Sequence, residues 1–339
     1  MTTIKDIARL SGYSIGTVSR VINNHPDVSE AARIRVEQVI REQNYQPNSN
    51  AKQLKQQSNS AITVIVKGYE NMFFEGILER VQDLLRESGE DVAIAILDEY
   101  ANEVQAALQL CAARKPKGFI FLGGNLEFFR QDCSRIDVPC VLLTNTAGEL
   151  GLKNLSSFTT NDEKSGYQAV DYLIRSGHTR IGIIGGMSNR IGSQIGFRRM
   201  KGCLDAFQKH GISFDEKTQY EPCRFSMAGG YESTRRLLKK NPDITAIFAI
   251  GDTIAIGAMR AVKDMGLSIP EDISLIGYDG IESGKYTIPR LSTIRQNTEA
   301  LAVKGVEDLL MRINYNHPAV HEDIPFDLVE SESVAAPKA

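Results

Sequence analysis

The 339-residue sequence predicts a small all-α head followed by an α/β body of two lobes, each built on a doubly wound parallel sheet. Three observations carry this. Residues 1–45 show helical periodicity and no strand. From Ala61 onward, strand-sized apolar runs alternate with amphipathic helical patterns, which implies parallel sheets covered by helices on both faces. That stretch runs for about 275 residues, too long for one sheet when domains average roughly 100–200 residues.

In the head, Thr3 followed by Asp6 resembles a capping box and starts a helix through Leu10. Gly12 can end it, because glycine tolerates the positive φ of a helix stop. Ser14 is a good N-cap for a second helix running to about Asn23. Ser29, after Pro26, caps a third, with Ala32, Val36, Val39 and Ile40 at helical spacing. On the second helix, Val18, Val21 and Ile22 fall on one side at ~100° per residue and can pack on Ile7, Leu10 and the third helix. Ile15, Gly16, Ser19, Arg20 and Asn23 gather on nearly the opposite side. A helix that presents such a short-chained, basic face after a tight turn has the geometry of a helix-turn-helix DNA reader.

Charge distribution agrees. The whole chain carries −3, yet residues 1–57 hold eight Lys/Arg and five Asp/Glu, against 31 and 37 in the remainder. A basic head on an acidic body suits a nucleic-acid module. Residues 46–60 mark the sharpest composition shift, polar apart from Ala51 and Leu54. Asn48, after Pro47, can cap a helix there, but about nine residues are too few for a stable isolated one. The segment reads either as a linker or as a helix that forms only on a partner.

In the body, strands are predicted over residues 62–66, 92–96, 118–122, 140–143, 180–184, 246–250 and 274–278, with helices between most of them, among them 76–88, 103–114, 164–176, 200–210, 228–240 and 254–265. Ligands of open α/β sheets sit beyond the carboxyl ends of strands. The residues found there include Asn71, Met72, Phe73 and Phe74; Arg198 and Arg199 after a Gly-rich stretch; Gly251 and Asp252; and Asp279 and Gly280. Guanidinium and carboxylate groups bridge neighbouring hydroxyls, and rings stack on apolar sugar faces, so this set suits a polyol. Each residue also has a plainer reading: Asp252 as the N-cap of the next helix, Phe74 as core, Arg199 as a surface charge, Phe225 as core or stacking platform.

Other classes find little support. There is no Gly-x-Gly-x-x-Gly after the first strand, no Walker loop, no Gly-x-Ser-x-Gly elbow and no His-Glu-x-x-His, so neither catalysis nor a cofactor is expected. The five histidines lie in polar contexts without metal-ligand spacing. The five cysteines are odd in number and widely spaced, which fits reduced thiols in a cytoplasm better than a disulfide framework. The longest apolar runs, such as residues 93–97, fall well short of the ~20 residues that cross a bilayer. The N-terminus turns polar at once, unlike a secretory signal.

The run Thr3-Ile-Lys-Asp-Ile-Ala-Arg-Leu-Ser-Gly-Tyr-Ser-Ile-Gly-Thr-Val-Ser-Arg-Val-Ile-Asn, then Val28-Ser29, Asn44-Tyr45-Gln46-Pro47-Asn48 and Leu54, closely resembles the lactose/galactose-repressor family. The resemblance continues through Gly177-His178-Thr179-Arg180-Ile181-Gly182, Arg199-Met-Lys-Gly202, Gly257-Ala258, Ile276-Gly277-Tyr278-Asp279 and Pro289-Arg-Leu-Ser-Thr-Ile-Arg-Gln296. It implies a helix-turn-helix DNA-binding domain over residues 1–46, a hinge helix or linker over 47–58, and a periplasmic-binding-protein-like effector and dimerisation core over 59–339. Within that core the N-lobe would take about 60–157 and 290–318, and the C-lobe about 158–289 and 319–335. The implied function is ligand-controlled transcriptional regulation, as a repressor of carbohydrate-use genes. A solute receptor of a transporter shares the core architecture and is the alternative.

Carried over by position, Ile15, Gly16 and Arg20 would face base edges, with Ser14, Thr17, Ser19 and Asn23 near phosphates or bases. Thr3, Asn48 and Ala51 complete the DNA-facing set, and Leu54 would be the wedge that unstacks a base step in the minor groove. A symmetric homodimer implies a near-palindromic operator. In the effector cleft the matching positions are Phe73, Arg199, Phe225 and Asp279. Gly251 stands where the family commonly has Asn, and Ser331-Glu332-Ser333 where Arg-Glu-Ser is usual. Asn145 lies where some relatives place an aromatic, which favours a sugar over a purine as effector.

Overall fold

The computed structural model describes residues 4–22, 28–43, 61–186 and 195–338, in two compact units, 1–58 and 59–339. The first unit contains α1 (Ile4–Ser11), α2 (Ile15–Ile22) and α3 (Glu30–Glu42). The Ser14 hydroxyl accepts the Thr17 backbone N–H at 3.1 Å, the capping bond that starts α2. Gly12 closes α1 at a φ of 78°. Ile7, Ala8, Val18, Val21, Val36 and Val39 form the core between the helices. Leu10, expected in that core, is exposed. Ser11, one full turn beyond Ile7, takes the inward place and donates its hydroxyl to the Ala8 carbonyl at 3.3 Å.

The second unit begins with β1 (Ile62–Lys67), α4 (Phe73–Glu87), β2 (Val92–Leu97), α5 (Glu103–Arg114), β3 (Gly118–Leu122), α6 (Leu126–Asp132), β4 (Cys140–Leu143) and β5 (Leu155–Thr160). It continues with α7 (Asp162–Arg175), β6 (Ile181–Ile184), α8 (Ile195–Lys209), α9 (Glu216–Gln219), β7 (Tyr220–Glu221), α10 (Met227–Lys240), β8 (Ala246–Ala249), α11 (Asp252–Asp264) and β9 (Ser274–Asp279). Last come β10 (Ser292–Gln296), α12 (Thr298–Tyr315), β11 (His321–Ile324) and β12 (Phe326–Val329). Two six-stranded sheets result, ordered β11-β5-β4-β3-β1-β2 and β12-β10-β9-β8-β6-β7. Every pairing is parallel except β10 with β12.

Both faces of the first sheet are covered, as the alternating pattern predicted. Val64, Val66, Ile120, Leu122, Val141 and Leu143 pack with α4 and α12. Their neighbours Ile65, Phe119, Phe121, Cys140 and Leu142 pack with α5 and α6, because successive side chains of a strand point to opposite faces. Among the described residues no helix is long and apolar enough to cross a membrane. The five cysteines are free, three of them buried.

The crossings between lobes differ from the sequence expectation. Residues 292–296, placed with the N-lobe, form β10 and pair with β9 in the second sheet; of that segment only α12 packs on the first sheet. Residues 321–324, placed with the C-lobe, form β11 and pair with β5 in the first. Polar side chains obscured these strands. Ser157 of β5 engages the His321 ring at 2.8 Å, while Ser292 of β10 takes its place through the Ser333 hydroxyl at 2.8 Å. Ser333 also donates to the Leu275 carbonyl at 2.6 Å, so the Ser331-Glu332-Ser333 departure sits in a segment that ties the C-terminus to β9 and β10.

Helices α7 and α8 approach until backbone meets backbone. A Cβ at Gly202 would stand 1.9 Å from the Glu163 carbonyl oxygen, and one at Gly166 would stand 2.3 Å from that of Arg199. Gly202→Ala must therefore push the helices apart. It should lower the stability of the core by about 1–3 kcal/mol or more, read as a fall in urea midpoint, and an unchanged midpoint would contradict this packing.

Candidate effector cleft and DNA-facing helix

In the head, the two faces of α2 separate as its periodicity predicted. Val18 and Val21 are buried, whereas Ser14, Gly16 and Arg20 are exposed and Thr17 is half-buried. The Ser14 and Thr17 hydroxyls lie 3.0 Å apart, so both are held at the start of the helix. Ile15 and Ser19 belong to the same helix. Thr3, Asn23, Asn48, Ala51 and Leu54 lie outside the described residues.

In the second unit the strand order reverses beside β1, between β2 and β3, and beside β6, between β7 and β8. Crevices at such switch points are where open α/β sheets bind ligands. A cleft of about 680 Å³ lies there, lined by Phe73, Arg199, Phe225 and Asp279. Four of the six predicted effector residues therefore come together. Asn145 does not line the cleft: its amide donates to the Gly124 carbonyl at 3.0 Å and accepts the Thr146 N–H at 2.9 Å, shaping the wall from behind. Gly251 also stands behind the lining. A Cβ there would be 3.1 Å from the Phe225 ring, which lies against it.

Arg199 is 3% exposed and sits early in α8, where the helix dipole disfavours a cation. Its guanidinium is held by surrounding groups. Nε donates to Asp162 Oδ1 at 2.8 Å, Nη1 donates to the Ile250 carbonyl, and Asp279 Oδ1 stands 4.0 Å away. The plane of the Tyr278 ring lies beneath, 3.5 Å from Cζ to centroid, while the Tyr278 hydroxyl donates to Asp162 at 3.1 Å. The surface-charge reading of Arg199 is thereby excluded.

Asp279 has a φ of 114°, a conformation that costs a side-chain-bearing residue of order 1–3 kcal/mol. It is fixed by the Gln296 amide, which donates to Oδ1 at 2.8 Å. Asp252 is not the N-cap of α11; that place belongs to Gly251. Instead, its buried carboxylate accepts the backbone N–H groups of Gly280 and Ile281 at 2.7 and 2.9 Å and the Thr293 hydroxyl at 2.7 Å. It thus positions the loop that carries Asp279. Phe74 is both core and wall, since it is buried and lines the cleft.

Several lining residues were missed. Lys67 ends β1, Asp98, Glu99 and Tyr100 follow β2, Asn125 and Phe128 follow β3, and Thr144 follows β4. All lie at the carboxyl ends of strands, where ligands of open α/β sheets sit. Arg224, next to Phe225, closes one end of the cleft from the other lobe. It donates to Asp98 at 3.2 Å and lies 4.3 Å from the Tyr100 ring centroid. The two lobes thus meet across the cleft through an ion pair and a cation–π contact.

Burial, reinforced by Asp279, pushes the Asp252 carboxyl up to about 8. Burial likewise pushes Asp279 up to about 7, against the pull of Arg199 and Gln296. Both start from an ordinary value of 3.8, so between pH 4 and 8 the folded core holds protons that the unfolded chain has released. Their contribution to stability is full below pH 4 and declines as pH rises to about 8. Asp252→Asn should flatten part of that decline in urea midpoints taken from pH 5 to 8; parallel curves for the two proteins would show that Asp252 does not titrate there.

Residues 3–48 match the model of bacterial regulatory proteins of the lacI family, and residues 170–334 match that of a periplasmic binding protein-like domain. The HTH-type transcriptional regulator MalR of Clostridium butyricum is 37% identical over 334 residues, 97% of this chain and 98% of that protein. Among solved structures, the complex of the transcriptional regulator CelR with cellobiose superposes with a TM-score of 0.70 at 27% identity, over 98% of this chain and 100% of that one. The lac repressor dimer bound to operator and the anti-inducer ONPF gives 0.68 at 25% identity over 99% of each chain. The transporter-receptor alternative is not favoured, since the head matches regulatory proteins. The chain belongs to the lacI family, whose members are DNA-binding transcriptional regulators and not enzymes.

Proposed function

We propose that this regulator acts in the cytoplasm as a homodimeric repressor of carbohydrate-use genes, reading a near-palindromic operator under the control of a sugar-like effector held in the cleft. The observation that carries the effector reading is the convergence of Arg199, Asp279, Phe73 and Phe225 on one crevice. Fixed donors and acceptors for vicinal hydroxyls stand beside aromatic faces there. The names of relatives agree: a ribose operon repressor at 34% identity and a solved complex with cellobiose.

The mechanism proposed is a population shift. Effector binding favours one arrangement of the lobes, with the Asp98–Arg224 contact spanning the cleft, and that arrangement changes how the head and the hinge segment at 47–58 engage DNA. An inducer binds the DNA-incompetent form more tightly, and a corepressor does the reverse. Titrating sugar into an operator complex gives the sign directly.

Base reading is assigned to Ile15, Gly16 and Arg20, phosphate or base contacts to Ser14, Thr17, Ser19 and Asn23, and the minor-groove wedge to Leu54. Arg20→Ala should relax base preference at one operator position by about 1–3 kcal/mol. Leu54→Ala should weaken operator binding overall and reduce bending. Gel shifts across operator variants measure both, and unchanged affinity and bend would defeat the assignment. Arg199→Ala should lower sugar affinity at least tenfold, about 1.4 kcal/mol, with operator affinity retained. Calorimetry returning wild-type sugar affinity would remove Arg199 from the site.

A further inference from the structure

We infer that Asp98, Tyr100 and Arg224 form a latch, made wholly of the chain's own groups, that holds the lobes together at the edge opposite their chain crossings and sets the balance between lobe arrangements before an effector binds. Its effect on operator binding rests on the population shift proposed above; the latch itself does not. Across the cleft, Arg224 Nη1 donates to Asp98 Oδ2 at 3.2 Å, and its Cζ stands 4.3 Å from the Tyr100 ring centroid. Both members of the ion pair are half-exposed, so the contact stands at the rim of the cleft, open to salt.

The first ground is position. Among the described residues, the chain crosses between the lobes from β5 to α7, from β10 to α12 and from β11 to β12. Strands β11 and β5 stand at one edge of the first sheet, and β12 and β10 at one edge of the second. The opposite edges are β2 and β7. Asp98 and Tyr100 follow β2, and Arg224 follows β7 by three residues. Four strand spacings separate β5 from β2, roughly 19 Å at about 4.8 Å each. With that lever arm, an opening of about 10° at the crossings would move Asp98 away by ~3 Å and break the pair. A second ion contact between the lobes, Glu149 with Arg198 at 4.0 Å, has no such leverage. A Cβ on Gly148 would stand 3.4 Å from the His321 ring of β11, so Glu149 lies beside the crossings.

The second ground is that both halves are formed in advance. Two long, exposed side chains that meet as an isolated ion pair gain little, because they lose freedom in meeting. Here Asp98 Oδ1 accepts the Tyr100 N–H at 2.9 Å, and the Asp98 carbonyl accepts the Ala101 N–H at 3.0 Å. One turn therefore presents carboxylate and ring together. On the other side, the Arg224 carbonyl accepts the Ser226 N–H at 2.8 Å. A Cβ on Gly229 would stand 2.7 Å from that oxygen, so glycine there lets α10 begin against the Arg224 backbone. The guanidinium can then serve the carboxylate with its edge and the ring with its face, which a planar, weakly hydrated cation does well.

The test is hydrogen–deuterium exchange, read by mass spectrometry, on the full-length protein with no sugar added. The variants are Arg224→Gln, Asp98→Asn, the two together, Tyr100→Leu and Tyr100→Phe. Cleft-lining amides at 123–128 and 225–229 should exchange about threefold to tenfold faster in Arg224→Gln. The double variant should go no further than Arg224→Gln alone, and Tyr100→Phe should behave as wild type where Tyr100→Leu does not. In the unsubstituted protein the same amides should speed up between about 0.05 and 0.5 M KCl, because an exposed pair is screened, and Arg224→Gln should lose that response. Wild-type exchange in Arg224→Gln overturns the latch, as does a double variant equal to the sum of the singles; Tyr100→Leu at wild-type rates removes the ring from it. If exchange in Arg224→Gln also rises throughout β3 and β8, the fold itself has loosened. The salt series on the unsubstituted protein then decides, and a flat response overturns the latch. Operator affinity without sugar, measured by gel shift, should change by about threefold or more in Arg224→Gln. Faster exchange with unchanged operator affinity would leave the latch standing and overturn the population shift instead.

Discussion

Arg199 carries a full positive charge with almost no access to water, and much of the C-lobe is arranged to make that tolerable. Removing an ion of this kind from solvent costs several kcal/mol unless its hydrogen bonds are replaced. Here Asp162 comes from the start of α7, the Ile250 carbonyl from the end of β8, and Tyr278 and Asp279 from the end of β9. Three consecutive layers of chain must therefore end at the same height. The glycines at 166 and 202 serve the same purpose, because only a helix pair packed backbone to backbone brings Asp162 and Arg199 within hydrogen-bond reach.

This constraint explains the strained backbone at Asp279. Its carboxylate must turn towards both Arg199 and the cleft at the last residue of a strand, where an extended conformation would send it elsewhere. Asp252 holds the following loop through two main-chain N–H groups, and Gln296 fixes the carboxylate itself. Gln296 ends β10, one of the strands that leads back to the other lobe. The acid pair at the cleft is thus wired to a lobe crossing, and Asn161 beside a second crossing donates to Asp323 beside the third at 2.9 Å. Asp279 is therefore held by one of the segments that connect the two lobes.

Much of this architecture was legible in the sequence, for physical reasons that also explain the gaps. Strands buried on both faces write themselves as apolar runs, so the seven predicted strands were all found within a residue or two. Strand β5 is buried too, but as Leu-Ser-Ser-Phe-Thr-Thr, with the Ser156, Ser157 and Thr159 hydroxyls paired to Arg312, His321 and backbone groups. No hydropathy pattern announces that. Arg199 and Asp279 were visible because they follow strands and match family positions. Asp98, Glu99 and Thr144 follow strands equally, but nothing local in their chemistry distinguishes a cleft residue from an ordinary loop. Asn145, expected among the effector residues from the resemblance alone, is absent from the cleft lining, and its amide engages the Gly124 and Thr146 backbone.

Gly251 is the departure whose consequence only the structure exposes. Where the family resemblance leads one to expect an amide, this chain has no side chain, and the Phe225 ring occupies the space against the backbone, 3.1 Å from where a Cβ would lie. The two residues are coupled by sterics. An asparagine at 251 would have to displace the ring, and a ring in its present seat excludes the asparagine. At this corner the cleft presents an aromatic face in place of an amide, a surface that suits apolar rather than hydroxyl-rich sides of a ligand. Arg199 and Asp279 remain the polar groups on this side of the cleft, and Lys67, Asn125 and Phe73 stand on the other. Each lobe therefore contributes both polar and aromatic groups to the lining, and the Asp98–Arg224 ion pair spans the two.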